Sequence, residues 1–373
     1  MAGAAISLFH GALSHAAEQA AFAVLRSGQI ASGPKVAEFE RALAGRLGRP
    51  HLVTTSDMSS ALVLALHLAG VGPGDEVLTQ AFSCLSSNAP IARVGAKAVW
   101  VDMNPETASM SVEDLCKAIT PRSKALMLYH VAGYPGPVRE VLAVCRGHDI
   151  VVIEDCNNAM GALSDGQPVG KLGDFAVHSF YPNRQLNAIE GGALACPDED
   201  SANRARRLRR FGINAATFRG PLGEINGDSD ITELGWSAAL NQLNASVGLA
   251  QLQNLAEQRR RTQANAELLS SAIQGLQGLK PVAALPGADP AYWGFLVLAQ
   301  QRDALLATLK AQGVHASRLH HRNDSYSAFA SPNRQLLGTD ALTGQILALP
   351  CGWWLDETDM HRLAAMVQQA CAA

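Results

Sequence analysis

The chain has 373 residues, 48% of them hydrophobic and 17% charged, with a formal net charge of -3. That balance supports more than one small core and lacks the basic field that nucleic acid or an anionic membrane surface requires. The seven cysteines, at 84, 116, 145, 156, 196, 351 and 371, show no CxxC spacing, which argues against a zinc site or disulfide framework and predicts a reducing compartment, the cytoplasm.

At the N-terminus, MAGAAISLFHGALSHAAEQ has no basic region leading into a long apolar core, and no later run approaches the roughly 18 apolar residues of a membrane span. From about residue 51 to 200, short β-branched runs alternate with helical ones. HLVTT, GDEVLTQ, AKAVWVDM, KALMLYHV, DIVVIED, DFAVHSF and GGALAC are seven strand candidates, separated by crossover helices such as SSALVLALHLAGV and VREVLAVCRGH. GPLGEINGDSD, at 220–230, reads as a polar loop, and a long helical region is predicted over about 233–275. Beyond it, the strand WGFLVLA and the helix HRLAAMVQQA complete a second unit. The predicted fold is α/β: a large domain over 1–250 with a mostly parallel seven-stranded sheet, then a smaller C-terminal α+β domain over 251–373.

Ligands of open parallel sheets bind at the carboxyl ends of strands, so residues there are candidates before any motif is invoked. After HLVTT, the turn SDMSSA opens a helix that either holds a phosphate on its backbone N–H groups or is merely capped by Ser56, Asp57 or Ser59. Asp155 ends a buried strand, where a carboxylate either meets a cation or caps the next helix. His130 ends KALMLYHV, facing a ligand or satisfying a buried carbonyl. Ser179 leads into the loop YPNRQLNAIEGG, whose Arg184 is a ligand grip or a surface ion-pair partner. Glu190-Gly191-Gly192 can be a plain strand-initiating turn, RLHHRND a solvated loop and the arginines of RRLRRFG a solvated helix face. No His/Asp/Glu spacing forms a metal ligand set.

Taken jointly, LRSGQIASGPKVAEFERALAGRLG, VGPGDEVL, VGAKAVWVDMNPET, HVAGYP, VIEDCNNAMGA, GKLGDFAVHSFYPN with EGGAL, GLAQL and LPCGWWLDETDM resemble the DegT/StrS family of pyridoxal-phosphate sugar aminotransferases along nearly the whole chain. The resemblance implies a type I aminotransferase fold and a homodimer with active sites at the subunit interface. The apolar face of GLAQLQNLAEQ fits such an interface. It also implies that Asp155 pairs with the pyridine nitrogen, that Asn158 lies near the phenolic oxygen, and that Met58, Ser59 and Ser179 cradle the phosphate, with Cys84 at the ring face.

The family's Schiff-base lysine falls at Arg184 here. A guanidinium stays protonated and delocalised, so it neither forms a stable imine nor shuttles a proton. Met58 replaces a glycine of the phosphate turn, Cys84 replaces a stacking aromatic, and GWSAAL replaces G-Y-N-Y-R-M, losing an asparagine and an arginine at Ser237 and Ala239. The expected protein is therefore an aminotransferase-like enzyme of sugar or secondary-metabolite biosynthesis, acting on a nucleotide sugar or small polar metabolite without lysine-dependent transamination. It would bind pyridoxal or pyridoxamine phosphate noncovalently. The alternatives are a cofactor-independent enzyme that reuses the pocket with Arg184 as an anion clamp, and a silent subunit of a heteromeric complex. The loops at 214–232 and 315–335 match no pattern that names a substrate.

Overall fold

The computed structural model describes residues 4–31, 33–329 and 334–372; positions 330–333 of the 315–335 loop lie outside the described residues. The seven predicted strands form β1 (Leu52–Thr55), β2 (Glu76–Gln80), β3 (Lys97–Val101), β4 (Ser123–Tyr129), β5 (Val151–Asp155), β6 (Phe175–Ser179) and β7 (Gly192–Ala195). They join in a seven-stranded sheet of order β1-β7-β6-β5-β4-β2-β3. Only β7 runs against its neighbours, β1 and β6. The other pairings are parallel.

Nearly every strand position is buried, as a parallel sheet covered on both faces requires. Alternate residues face opposite layers. Helices α1 (His15–Ser27) and α2 (Pro34–Leu47) precede β1 and α3 (Met58–Leu68) follows it; Val77, Ile153 and Val177 pack with α3, while Leu78, Leu126 and Val152 pack beneath Val141 and Leu142 of the helix Val138–Arg146.

Helix formation over 233–275 is less extensive than the apolar periodicity predicts. The first helix there starts at Gln242, capped by the Asn241 side chain, and Ser237 and Ala239 lie on extended backbone that bridges to Arg210 and Thr55. The cap and these bridges compete with helix for the same N–H groups. The GLAQL segment packs against His15–Ser27 and Pro34–Leu47 of its own chain, so its apolar face is covered internally.

In the C-terminal unit, strands Leu279–Pro281, Phe295–Ala299 and Ile346–Leu349 form a sheet under the helices Leu255–Ile273, Arg302–Ala311 and Glu357–Ala372. Ile6 is buried in that second core and bridges to Val314. Ile6 thus packs with the C-terminal unit, while the helix His15–Ser27 packs on Gln242–Gln251.

Candidate active site

Strand register gathers the predicted residues at one sheet edge. Thr55 and Ser179 both lie opposite Gly192, and Val177 and Tyr129 both lie opposite Asp155. Gly192 has to be glycine, because a Cβ there would stand 2.7 Å from the Asp57 carbonyl oxygen. Its bareness lets the N-terminus of α3 rest on β7. Asp57 caps that helix by accepting from the Ser60 N–H at 2.8 Å. The amides of Met58 and Ser59 are left without intrahelical partners, as in any first helical turn. They border a cleft of about 290 Å³ lined by Asp57, Met58, Ser59, Ser179, Arg184 and Glu190.

This cleft suits an anion. Helix N–H groups and the helix dipole favour negative charge there. The Ser59 hydroxyl donates to the Ser86 carbonyl, and the Ser179 hydroxyl accepts from the Tyr181 N–H, each at a long 3.4 Å, so both can turn to a ligand. Arg184 has its guanidinium carbon 5.0 Å from the Trp293 ring centroid and donates from Nη1 to Asn183 Oδ1 at 2.6 Å. Trp293 also donates from Nε1 to the Asn183 carbonyl at 2.6 Å, so it holds both the loop backbone and the charge. Arg184 Nε is buried without a partner. Burial raises the Glu190 carboxyl above its ordinary value, opposed by the Gly191 N–H, with smaller contributions from Asp57, which raises it, and Arg184, which lowers it.

Asp155 is fully buried. Its Oδ1 accepts from the Asn157 N–H at 3.1 Å, while Oδ2 has no partner. Burial, opposed by hydrogen bonds from Ser87 and Asn157, holds its carboxyl above the ordinary range. A buried, unpaired carboxylate oxygen is costly unless a ligand brings it a donor, and a protonated ring nitrogen is such a donor. Asn157 Oδ1, Asn158 Oδ1 and Gln185 Oε1 are likewise buried and unpaired. Donor-poor surroundings at Asp155, together with the donor-rich cleft at the N-terminus of α3, suit a cationic heterocycle carrying a phosphate. Pyridoxal and pyridoxamine phosphate are ligands of that kind.

Met58 is buried in the apolar core beneath the turn while walling the cleft, so its long side chain is accommodated rather than left to crowd the phosphate turn. Cys84 is half-buried, its thiol pushed up by burial, with Sγ within 3.9 Å of both ring nitrogens of His320. His320 and Trp293 come from the C-terminal unit, and no spacing in the sequence singles them out. The pair in RLHHRND is split: His321 is exposed, while the His320 ring lies against Phe82, Tyr129 and Trp293. Burial, then Arg184, pushes His320 down to about 3, so it is neutral.

His130 does not belong to the cleft. Its Nδ1 accepts from the Gly136 N–H at 3.0 Å, which leaves Nε2 protonated to donate to Glu154 at 3.2 Å. Glu154 also accepts from the N–H groups of Gly170, Leu172 and Gly173. Burial pushes its carboxyl up, but the hydrogen bond from His130 and those from the backbone N–H groups outweigh that and hold it below the ordinary range. The fold thus gathers His130, Glu154 and Cys156, which sequence spacing does not reveal as a ligand set. The His130 and Glu154 ligand atoms are already engaged, so the group reads as a structural brace. In RRLRRFG the helix ends at Leu208, and Arg209 binds Glu40 and the Thr54 carbonyl, both at 2.6 Å, instead of facing solvent. Another cavity, of about 780 Å³, lies elsewhere along α3 and is lined by His67, Arg204, Trp236 and Ser237 among others. Glu233 already engages His67 and Arg204 there, and no unpaired buried side-chain atom among the described residues lines it.

A model of the DegT/DnrJ/EryC1/StrS aminotransferase family matches residues 12–368. The chain belongs to this family. It shares 33% identity and a TM-score of 0.93 with the crystal structure of AtS13 from Actinomadura melliaura, over 99% of this chain and 100% of that one. Sugar aminotransferase CalS13 from Micromonospora echinospora matches at 32% identity and a TM-score of 0.92, over 98% and 99%. The chain is 31% identical to GDP-perosamine synthase of Caulobacter vibrioides over 90% of each. With the spore coat polysaccharide biosynthesis protein SpsC of Bacillus subtilis, it is 32% identical over 68% of this chain and 66% of that protein, just under two thirds of SpsC's length. This DegT/DnrJ/EryC1/StrS member therefore has the type I aminotransferase-like fold. No helix among its described residues is long and apolar enough to cross a membrane.

Proposed function

We propose that this chain is an enzyme of sugar or secondary-metabolite biosynthesis that binds pyridoxal or pyridoxamine phosphate noncovalently and has lost lysine-dependent transamination. The observation that carries the reading is Arg184, fixed by Trp293 and Asn183 in the loop where the family resemblance puts an imine-forming lysine. Such a cofactor, when bound, supplies an electron sink for charge developing on a substrate carbon. Asp155 would accept the ring N–H and keep it protonated. The Met58 and Ser59 amides, the Ser59 and Ser179 hydroxyls and the Arg184 guanidinium would hold the phosphate, with arginine adding a fixed charge but no transferable proton. The expected substrate is a nucleotide sugar or a small polar metabolite.

A homodimer is part of this reading. Since the GLAQL face is covered within the chain, the supporting surface is the exposed apolar set Phe211, Leu222, Ile225 and Leu234. A silent subunit serving an active homologue is disfavoured, because Ser237 and Ala239 replace the residues that resemblance assigns to the neighbour's phosphate.

The test is calorimetric and absorbance titration of the purified protein with each cofactor form, followed by borohydride reduction. Saturable, dialysable binding with no cofactor left on the protein is expected. Binding of neither form points to cofactor-independent chemistry, and a phosphopyridoxyl-lysine peptide points to a relocated lysine. Either outcome overturns the proposal.

A further inference from the structure

Beside Asn158 lies a hydrogen-bonded pair that has no role in the reading above. Tyr129 Oη accepts from Asn158 Nδ2 at 3.0 Å and lies 2.9 Å from His320 Nε2. Burial raises the Tyr129 phenol well above its ordinary value, so it keeps its proton, and with Asn158 donating to the oxygen that proton goes to Nε2. An imidazole that accepts at Nε2 carries its own hydrogen on Nδ1. Among the described residues Nδ1 meets only a weak acceptor, Cys84 Sγ. That atom is 3.8 Å from Nδ1 and 3.9 Å from Nε2, and a sulfur almost equidistant from both nitrogens lies off the N–H direction. The ring cannot easily turn away. It is near-parallel to Trp293, at 9° and 6.3 Å between centroids, and meets Phe82 and Tyr129 edge-on at 5.4 and 5.7 Å.

Asn158 shares that phenol: one hydrogen of its Nδ2 goes to Tyr129 Oη, which leaves it a second Nδ2 hydrogen beside the unpaired acceptor Oδ1. Resting on the cofactor reading above, we infer that His320 is a ligand-binding residue whose Nδ1–H donates to the phenolic oxygen of a pyridoxal-type ligand, beside the one Nδ2 hydrogen that Asn158 has left. Tyr129 is the positioning residue that fixes the imidazole tautomer. Because the imidazole is neutral, it stabilises a phenolate without placing a second cation beside Arg184.

The test compares pyridoxamine phosphate with 3-deoxypyridoxamine phosphate, which lacks that oxygen, by calorimetric titration of the full chain. His320→Phe, which keeps a ring on Trp293 but has no donor, should bind pyridoxamine phosphate about tenfold or more weakly. It should bind the deoxy analogue like wild type, and His320→Asn should regain most of the loss. Equal weakening for both ligands, or no weakening, overturns the assignment. Wild-type protein that binds neither ligand overturns the cofactor reading itself. Should the variants fail to fold, nitrogen-15 NMR of the wild-type histidines remains decisive. The Nδ1–H tautomer of His320 and a shift of that signal with pyridoxamine phosphate but not with the deoxy analogue are expected; an Nε2–H tautomer or identical responses refute it.

Discussion

Arg184→Lys returns an amine to the loop where the family resemblance places the imine. In the free protein the change removes a guanidinium 5.0 Å from the Trp293 centroid and its hydrogen bond to Asn183. A cation–π contact at a partly desolvated site contributes about 1–2 kcal/mol and the hydrogen bond about 1 kcal/mol, so a stability loss of about 1–3 kcal/mol is expected in urea. Cofactor affinity should stay poor for a separate reason. Ser237 and Ala239 stand where resemblance places an asparagine and an arginine that donate to phosphate, on the strand segment bridging Arg210 and Thr55. Two charge-assisted hydrogen bonds at about 1.5–3 kcal/mol each correspond to about two to four orders of magnitude in affinity. Because Met58 is accommodated in the core, steric crowding adds nothing to that figure. A pyridoxal-phosphate absorbance titration of the single variant should show no imine band at micromolar cofactor. Adding Ser237→Asn and Ala239→Arg should recover the missing orders of magnitude. Micromolar or tighter binding with an imine band in the single variant would refute the reasoning and mark the site as an aminotransferase centre disabled at one residue.

Asp155 has a folded-state value above its unfolded one, so its charge costs stability above the ordinary carboxylate range, and Asp155→Asn should raise the urea midpoint at pH 7. The gain should vanish as pH falls through the unfolded value, and stabilisation by pyridoxamine phosphate should be lost; marked destabilisation of the free protein would contradict the ligand-facing role. His178, buried with neither ring nitrogen paired, is pushed down from 6.5 to about 4 by burial. Its neutral form is favoured on folding, so stability should fall by about 3 kcal/mol as pH drops from about 6.5 to about 4, a loss that His178→Leu should largely abolish in pH-dependent urea unfolding. Sedimentation at micromolar concentration should give a homodimer, shifted toward monomer by Leu222→Lys with Leu234→Lys; a wild-type monomer would remove the shared-interface reading.

What the sequence determined alone is the part governed by local pattern. Seven apolar, β-branched runs punctuated by turns specify strands buried on both faces, and all seven form. Asp155, Ser179 and Arg184 could be named as candidates from pattern alone, because an open parallel sheet presents its carboxyl ends to ligands. Local pattern failed where long-range partners compete for the same atoms. His130 and Asp155 both sit at strand ends, yet His130 is claimed by Glu154 and Gly136, while Asp155 keeps an unpaired oxygen. The apolar GLAQL helix could have served a partner, but two N-terminal helices of its own chain cover it. Trp293 meets Arg184, and His320 stacks on Trp293, from the C-terminal unit, more than a hundred residues from Arg184 in sequence. No periodicity encodes such a meeting, because it depends on how two separately packed cores dock, which is decided by burial over the whole surface rather than by neighbours along the chain.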